Sequence, residues 1–338
     1  MPAENSPITT EVDFEKSGKQ ISFLRVPHSH NTSAWGSVYV PIVVIKNGDG
    51  KTILFTGGIH GDEYEGPVAL LKLARELIAE DIQGRVIIIP GLNQPALQAG
   101  KRLSPIDNKD MNRVFPGDPK GTISQVIAHY VREAILPLCD VVVDLHSGGY
   151  SLNFVPYISM HHLPDEQQRQ ATLAAMKAFQ APVSLIIKEI GGEGLLDYEV
   201  ERMGKIFLCA EMAGAGMLSP AALKIAETGV RNILIHFGIS QGEILTREEL
   251  GHPPSKTMEV AGLENYSLAP SSGVFESFFD LGDWVEAGKQ IGKIHFLSDI
   301  SREPKPVIAN QPGMLTTMRA PGWVTRGDCL AVVARQIQ

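Results

Sequence analysis

Cysteine is scarce in this 338-residue chain, and the three present, Cys139, Cys209 and Cys329, lie far apart. An odd count without a Cys-x-x-Cys pair argues against a disulfide framework and against a thiolate metal site. Each sits in an apolar, strand-like stretch, where a free thiol packs as a small hydrophobe, so a reduced, cytoplasmic setting is expected. Long apolar runs are also missing. The longest, over residues 40–45, 86–90 and 141–143, are strand-length, well short of the roughly 20 residues a membrane helix needs. No membrane association is expected. Positive charge is in deficit, with 30 Lys and Arg against 38 Asp and Glu, and no basic cluster stands out. That balance argues against nonspecific nucleic-acid binding. The first ten residues are polar and carry no basic region ahead of an apolar one, so no secretory leader is expected.

What is present is ordinary globular material. Apolar residues make up 43% and charged residues 20%, which leaves no long disordered stretch. The length predicts one large domain and a smaller one. Short β-branched runs alternate with helical patterns through the first three-quarters. Residues 37–46 and 52–56 read as strands, 66–78 as a helix, and 85–90 as a strand. Residues 124–136 read as a helix, 140–145 as a buried strand, 164–179 as a helix, 205–211 as a strand and 221–236 as helical. This rhythm predicts an α/β fold with a mixed, mostly parallel sheet flanked by helices.

The pattern changes at Gly251-His252-Pro253-Pro254, which reads as a linker. A first domain over 1–250 and a C-terminal all-β domain over 255–338, barrel- or sandwich-like, are therefore expected. The tail carries an internal repeat. Gly273-Val274-Phe275-Glu276, Gly282-Asp283-Trp284-Val285 and Ile291-Gly292-Lys293-Ile294 correspond to Gly313-Met314-Leu315-Thr316, Gly322-Trp323-Val324-Thr325 and Leu330-Ala331-Val332-Val333. Two such units predict face-to-face packing. The tail resembles biotinyl/lipoyl-type modules, but neither copy has the Lys-bearing turn of a carrier. Trp284 and Trp323 suit either a contact in a homo-oligomer or a small core.

The sharpest local feature is Gly57-Gly58-Ile59-His60-Gly61-Asp62-Glu63-Tyr64-Glu65-Gly66. It falls where a buried strand gives way to a helix, the place where open α/β sheets put their sites. An imidazole and a carboxylate three residues apart converge on one ion if the loop turns tightly, and the glycines permit that. A catalytic zinc takes three protein ligands and leaves a fourth position open. Asp144-Leu145-His146-Ser147-Gly148-Gly149, a second His-bearing, Gly-rich strand end, offers the third. His60 alone carries little specificity; two such strand ends in a chain with ten histidines carry more. His28, His30, His129, His236, His252 and His295 have no carboxylate at ligand spacing and read as structural.

Gly-x-His-Gly-x-Glu, Asp110-Met111-Asn112-Arg113 and a strand ending in Asp-x-His together resemble the succinylglutamate desuccinylase and aspartoacylase family, zinc enzymes with a carboxypeptidase-like fold. The resemblance spans most of residues 20–240. It implies one Zn2+ per chain on His60, Glu63 and His146. It implies that Arg102, nine residues after Asn93 in Asn93-Gln94-Pro95, polarises the scissile carbonyl, which suits a fixed guanidinium facing developing negative charge. It implies that Asn93, Asn112 and Arg113 bind substrate, the Asn-Arg pair gripping a carboxylate. Glu211, closing the apolar run Phe207-Leu208-Cys209-Ala210, matches the family's catalytic acid, and Asp144 is positioned by the motif to orient His146. Within the family, Ser33-Ala34-Trp35-Gly36, Ser104-Pro105-Ile106-Asp107 and His146-Ser147-Gly148-Gly149 are similar to the subgroup that removes acetate from N-acetyl-L-2,4-diaminobutyrate in ectoine breakdown. Asp197 or Glu199 would then face the substrate amine, or else be solvated loop acids. Another N-acyl amino acid, a peptide, or a non-catalytic binding role on the same fold remain the competing readings, as does a divalent ion other than zinc.

Overall fold

The computed structural model describes residues 5–188 and 192–337. Strand β1 (Gly18–Pro27) forms an antiparallel hairpin with β2 (Ser37–Asn47), and β2 pairs antiparallel with β4 (Gly84–Ile89). The core is parallel: β4, β3 (Thr52–Gly57), β5 (Val141–His146) and β9 (Ile206–Glu211) lie side by side. All six residues of β3 and of β5 are buried, as expected for strands covered on both faces. Beyond β9 the sheet continues through β7 (Tyr157–His161), antiparallel to β9, and β8 (Val183–Ile187), parallel to β7.

Helices cover both faces. On one, α1 (Glu65–Glu76), α4 (Glu166–Phe179) and α6 (Pro220–His236) bury Leu70, Leu73, Met176, Phe179, Val230 and Ile233. On the other lie α3 (Ile123–Tyr130) and α5 (Leu196–Arg202), with the short α2 (Gln94–Ala99) at the strand ends. The helix expected over 124–136 keeps α geometry only to Tyr130; Val131–Ile135 widens to a π turn and Leu136–Leu138 tightens to a 3-10 turn around Pro137. The crossover from β3 runs to β4 on one side, and the next crossover returns to β5 on the other. The carboxyl ends of β3 and β5 therefore frame a topological switch point, where a ligand crevice opens.

The expected fold class holds: a mixed α/β sheet flanked by helices, followed by an antiparallel β tail. The sheet does not stop at the Pro-Pro step. Strand β10 (Lys256–Val260) pairs parallel with β8, and β18 (Cys329–Gln336) pairs antiparallel with β10. The repeat is visible as exchange between two layers. In the first unit β12 (Gly273–Ser277) pairs with β14 (Gln290–His295); in the second β16 (Gly313–Arg319) pairs with β18. The short strand of each unit crosses to the other: β13 (Trp284–Val285) joins β16, and β17 (Trp323–Val324) joins β12. Val285 and Val324 are buried in this core while Trp284 and Trp323 face outward. Strand β6 (Leu152–Phe154), just after His146, pairs with β16 and ties the tail to the loop after β5. Strands β11 (Tyr266–Leu268) and β15 (Lys305–Ile308) complete the two layers. Among the described residues no helix is long and apolar enough to cross a membrane.

Candidate metal centre

His60 and Glu63 occupy the turn between β3 and α1, and His146 ends β5. All three are buried. Their ligand-capable atoms lie within 4.8 Å of one another. The Glu63 carboxylate sits between the two rings: Oε1 is 2.7 Å from His60 Nδ1 and Oε2 is 2.9 Å from His146 Nδ1. The Ser147 amide also donates to Oε2, at 3.2 Å.

Each far ring nitrogen has its own carboxylate. His146 Nε2 lies 2.7 Å from Asp144 Oδ2, and Thr56 donates to Asp144 Oδ1 at 2.7 Å. His60 Nε2 lies 3.0 Å from Asp110 Oδ1, and Arg102 Nη2 donates to Asp110 Oδ2 at 3.1 Å. A carboxylate on the outer nitrogen fixes the ring and its tautomer, leaving the inner nitrogen for a metal. Two imidazole Nδ1 atoms and one carboxylate, so oriented, fit the donor set of a catalytic zinc site. Sequence reasoning anticipated Asp144 in this role and missed Asp110, whose signal was its place at the head of the Asp-x-Asn-Arg motif.

The charges reinforce the geometry. Burial opposes charge on His146, yet Asp144 and Glu63 outweigh it and hold its pKa well above the ordinary value. Burial likewise works against an ionised Glu63, but His60 and His146 hold its carboxyl below the usual range. Glu211, at the end of β9 and in register with His146, differs. Burial pushes its pKa well up, His146 and Arg102 offset only part of this, and the nearby Glu63 and Asp144 add to it. Its Oε2 is buried without a hydrogen-bond partner. A carboxylate held in that way is ready to take and hand on a proton.

The remaining expected residues fall into two groups. Arg102 joins the cluster, its Nη1 3.4 Å from His60 Nδ1 and 3.7 Å from Glu63 Oε1, with the side chain partly open to solvent. Asn93, Asn112 and Arg113 hydrogen-bond to the backbone around the cluster. Asn93 Nδ2 donates to the Ile59 carbonyl at 3.1 Å and its Oδ1 accepts from the Ala96 amide at 3.3 Å, so its amide locks the His60 loop onto α2. Asn112 Oδ1 accepts from the Leu196 amide at 3.0 Å, and the exposed Arg113 donates to the Asn112 carbonyl at 2.6 Å. Asp197 and Glu199 belong to α5 and not to a loop. Glu199 is buried and accepts from Arg132 at 2.9 Å. Asp197 lies 3.9 Å from His161, which also meets Glu201.

The model of the succinylglutamate desuccinylase/aspartoacylase catalytic domain matches residues 49–237. The N-alpha-acetyl-L-2,4-diaminobutyric acid deacetylase of Halomonas elongata is 42% identical over 333 residues, covering 98% of this chain and 96% of that protein. Among solved structures, the succinylglutamate desuccinylase/aspartoacylase from Rhodobacter sphaeroides superposes with a TM-score of 0.95 at 41% identity, covering 98% of this chain and 100% of that one. The product-bound ectoine utilization protein EutE (DoeB) from Ruegeria pomeroyi gives 0.94 at 42% identity, covering 98% and 99%.

Proposed function

The chain belongs to the succinylglutamate desuccinylase/aspartoacylase family, and we propose that it is a zinc-dependent deacetylase of N-alpha-acetyl-L-2,4-diaminobutyrate, releasing acetate and L-2,4-diaminobutyrate in ectoine breakdown. The observation that carries this reading is the buried, unpartnered Glu211 Oε2 beside the His60–Glu63–His146 cluster. The substrate assignment is supported by the relative from Halomonas elongata, a deacetylase of that compound by name. Its free cysteines suit a reduced cytoplasm.

His60, Glu63 and His146 would hold the ion. Zinc bound there supplies Lewis acidity and makes water acidic enough to attack near neutral pH. Glu211 takes the proton from the attacking water and delivers it to the departing amine nitrogen. Its raised pKa suits both halves, because an ordinary carboxylate would be a weaker base and too seldom protonated to serve as the donor near pH 7. Arg102 faces the carbonyl oxygen as negative charge develops there, and its salt bridge to Asp110 keeps the guanidinium in place. Asn112 and Arg113 hold the substrate carboxylate. Asn93 contributes by fixing the loop on which His60 stands.

The test is release of the free amine product from N-alpha-acetyl-L-2,4-diaminobutyrate, N-acetylaspartate and an N-succinyl amino acid, together with bound metal in the purified protein and in His60→Ala. The proposal expects one zinc per chain, lost in that variant, and highest kcat/KM on the acetylated diaminobutyrate. Retention of stoichiometric metal by His60→Ala would remove the site; turnover of only a succinylated or aspartyl substrate would move the protein elsewhere in its family.

A further inference from the structure

Glu65 is fully buried two residues beyond Glu63, and the reaction just described makes no use of it. Burying a carboxyl is costly unless it does something that an apolar side chain would not. Its Oε1 accepts from the Ser219 amide at 2.9 Å. Ser219 caps α6 through its own hydroxyl, and residues 212–218 are the whole connection from Glu211 to that cap. Glu65 Oε2 and Ser147 Oγ are both buried without a hydrogen-bond partner. The Ser147 hydroxyl is nonetheless one of the groups that draw the Glu65 pKa down against burial, so it lies close by.

The segment that Glu65 anchors is under backbone strain. Four consecutive residues, Ala213, Gly214, Ala215 and Gly216, have positive φ, at 55°, 144°, 57° and 68°. Two of them carry a Cβ that disfavours this conformation. A strained segment keeps its shape only when its surroundings hold it. On one flank the loop after His146 does so: the Gly148 amide donates to the Ala213 carbonyl at 3.0 Å, Ala215 to Leu152 at 2.9 Å and Gly216 to Gly149 at 2.7 Å. The other end is held at Ser219 by Glu65.

We propose that Glu65 is a positioning residue: it clamps the far end of the strained 212–219 segment to the start of α1, and so fixes Glu211 relative to Glu63 and His146. This rests on the deacetylase reading for its kinetic consequence but not for its structural one. Three chain segments meet at this side chain: the metal-ligand turn, the loop after His146, and the segment after Glu211. A Gln preserves the clamp, since its oxygen accepts from Ser219 and its amide reaches toward Ser147; an Ala does not.

The test compares Glu65→Ala and Glu65→Gln by steady-state kinetics and by amide hydrogen exchange of the zinc-loaded proteins. Glu65→Ala is expected to lower kcat on the order of 10- to 100-fold, the loss that follows about an ångström of misplacement, with KM changed less than about twofold. Peptides covering 212–219 should exchange faster, while zinc stoichiometry stays at one. Glu65→Gln should restore both kcat and protection. Should Glu65→Ala not fold, Glu65→Asp, which withdraws the carboxyl by one methylene, reads the same outcomes. Wild-type kcat in a folded Glu65→Ala, or unchanged exchange over 212–219, overturns the proposal, as does Glu65→Gln behaving like Glu65→Ala. Absence of turnover in the wild-type protein would instead strike at the deacetylase reading, and the exchange comparison would still decide the clamp.

Discussion

Replacing Gly61 with Ala puts one methyl group where the structure has no room for it. The new Cβ would stand 1.9 Å from the Ala96 carbonyl carbon, 2.0 Å from its oxygen and 2.3 Å from the Leu97 nitrogen. These are backbone atoms of α2, so no side-chain rotation relieves the clash. Restoring an ordinary separation of about 3.5 Å requires the loop and the helix to part by roughly 1.5 Å. The contacts to be stretched are specific: the Gly61 amide donates to the Lys101 carbonyl at 2.9 Å, and Asn93 ties Ile59 to the start of α2. Overpacking of this kind costs about 3 kcal/mol. For a chain of this length that is roughly 4 °C in Tm. The larger effect is on function, because His60 and Glu63 flank the displaced residue. A shift of more than an ångström at two ligands should lower zinc affinity and kcat/KM by about 100-fold or more. Competition against a chelating indicator, differential scanning calorimetry and acetate release measure the three quantities. A variant with Tm within about 1 °C and zinc affinity within about threefold of the parent would refute the argument that this glycine is required by close approach.

Other outcomes follow from the same geometry. Glu211→Gln should lower kcat by about 10²- to 10⁴-fold while zinc content and KM stay near the parent values, measured by acetate release and metal analysis. In the metal-free protein, burial raises the Glu211 pKa, so the native state binds the proton more tightly than the unfolded chain. That contribution to stability is present at low pH and declines as pH rises from the ordinary carboxylate range through the raised native value. Melts of chelator-treated protein should show the decline, and Glu211→Gln should lessen it, leaving the part that the raised His146 contributes above the ordinary imidazole range. Thr56→Val removes the donor to Asp144 Oδ1 and leaves a buried carboxylate oxygen unpaired. It should weaken zinc binding about 10- to 100-fold by equilibrium competition, and wild-type affinity would show that Asp144 does not depend on this support. Ala215→Gly relieves a left-handed alanine at φ 57° and should raise stability by about 1 kcal/mol in denaturant unfolding, provided the loop keeps its shape.

The centre of the sheet was legible because β3, β5 and β9 are continuous apolar runs that end abruptly in polar, Gly-rich turns. Such runs are buried strands, and their polar ends are where chemistry can sit. His60, Glu63, His146 and Glu211 stand out by that rule aided by the family motif, and the structure places the first three in one cluster with Glu211 in register beside His146. Asp110 was harder to see. It is 47 residues from Glu63 in a region of 3-10 turn, and no periodicity links it to His60. The edge of the sheet was harder still. Strand β1 alternates exposed and buried residues and includes Lys19, Gln20, Ser22 and Arg25, so its pairing with β2 was invisible as an apolar run. Helix α5 is seven residues long and follows a Gly-rich stretch, too short for helical periodicity to register. Glu65 carried no signal as a buried acid, because a Glu at the first turn of a helix is ordinarily there for the helix dipole.

The pairing of β6 with β16 links residues separated by nearly half of the chain. Leu152–Phe154 follows His146 by only a few positions, yet its strand partner, Gly313–Arg319, belongs to the C-terminal layers. The loop after His146 takes a strand neighbour from the tail, and the edge of β8 is covered by β10. Loosening the tail is therefore expected to loosen the loop after His146 and the edge of the first sheet together. Sewn in at two places, the C-terminal layers are a buttress of the first sheet and not an appendage to it.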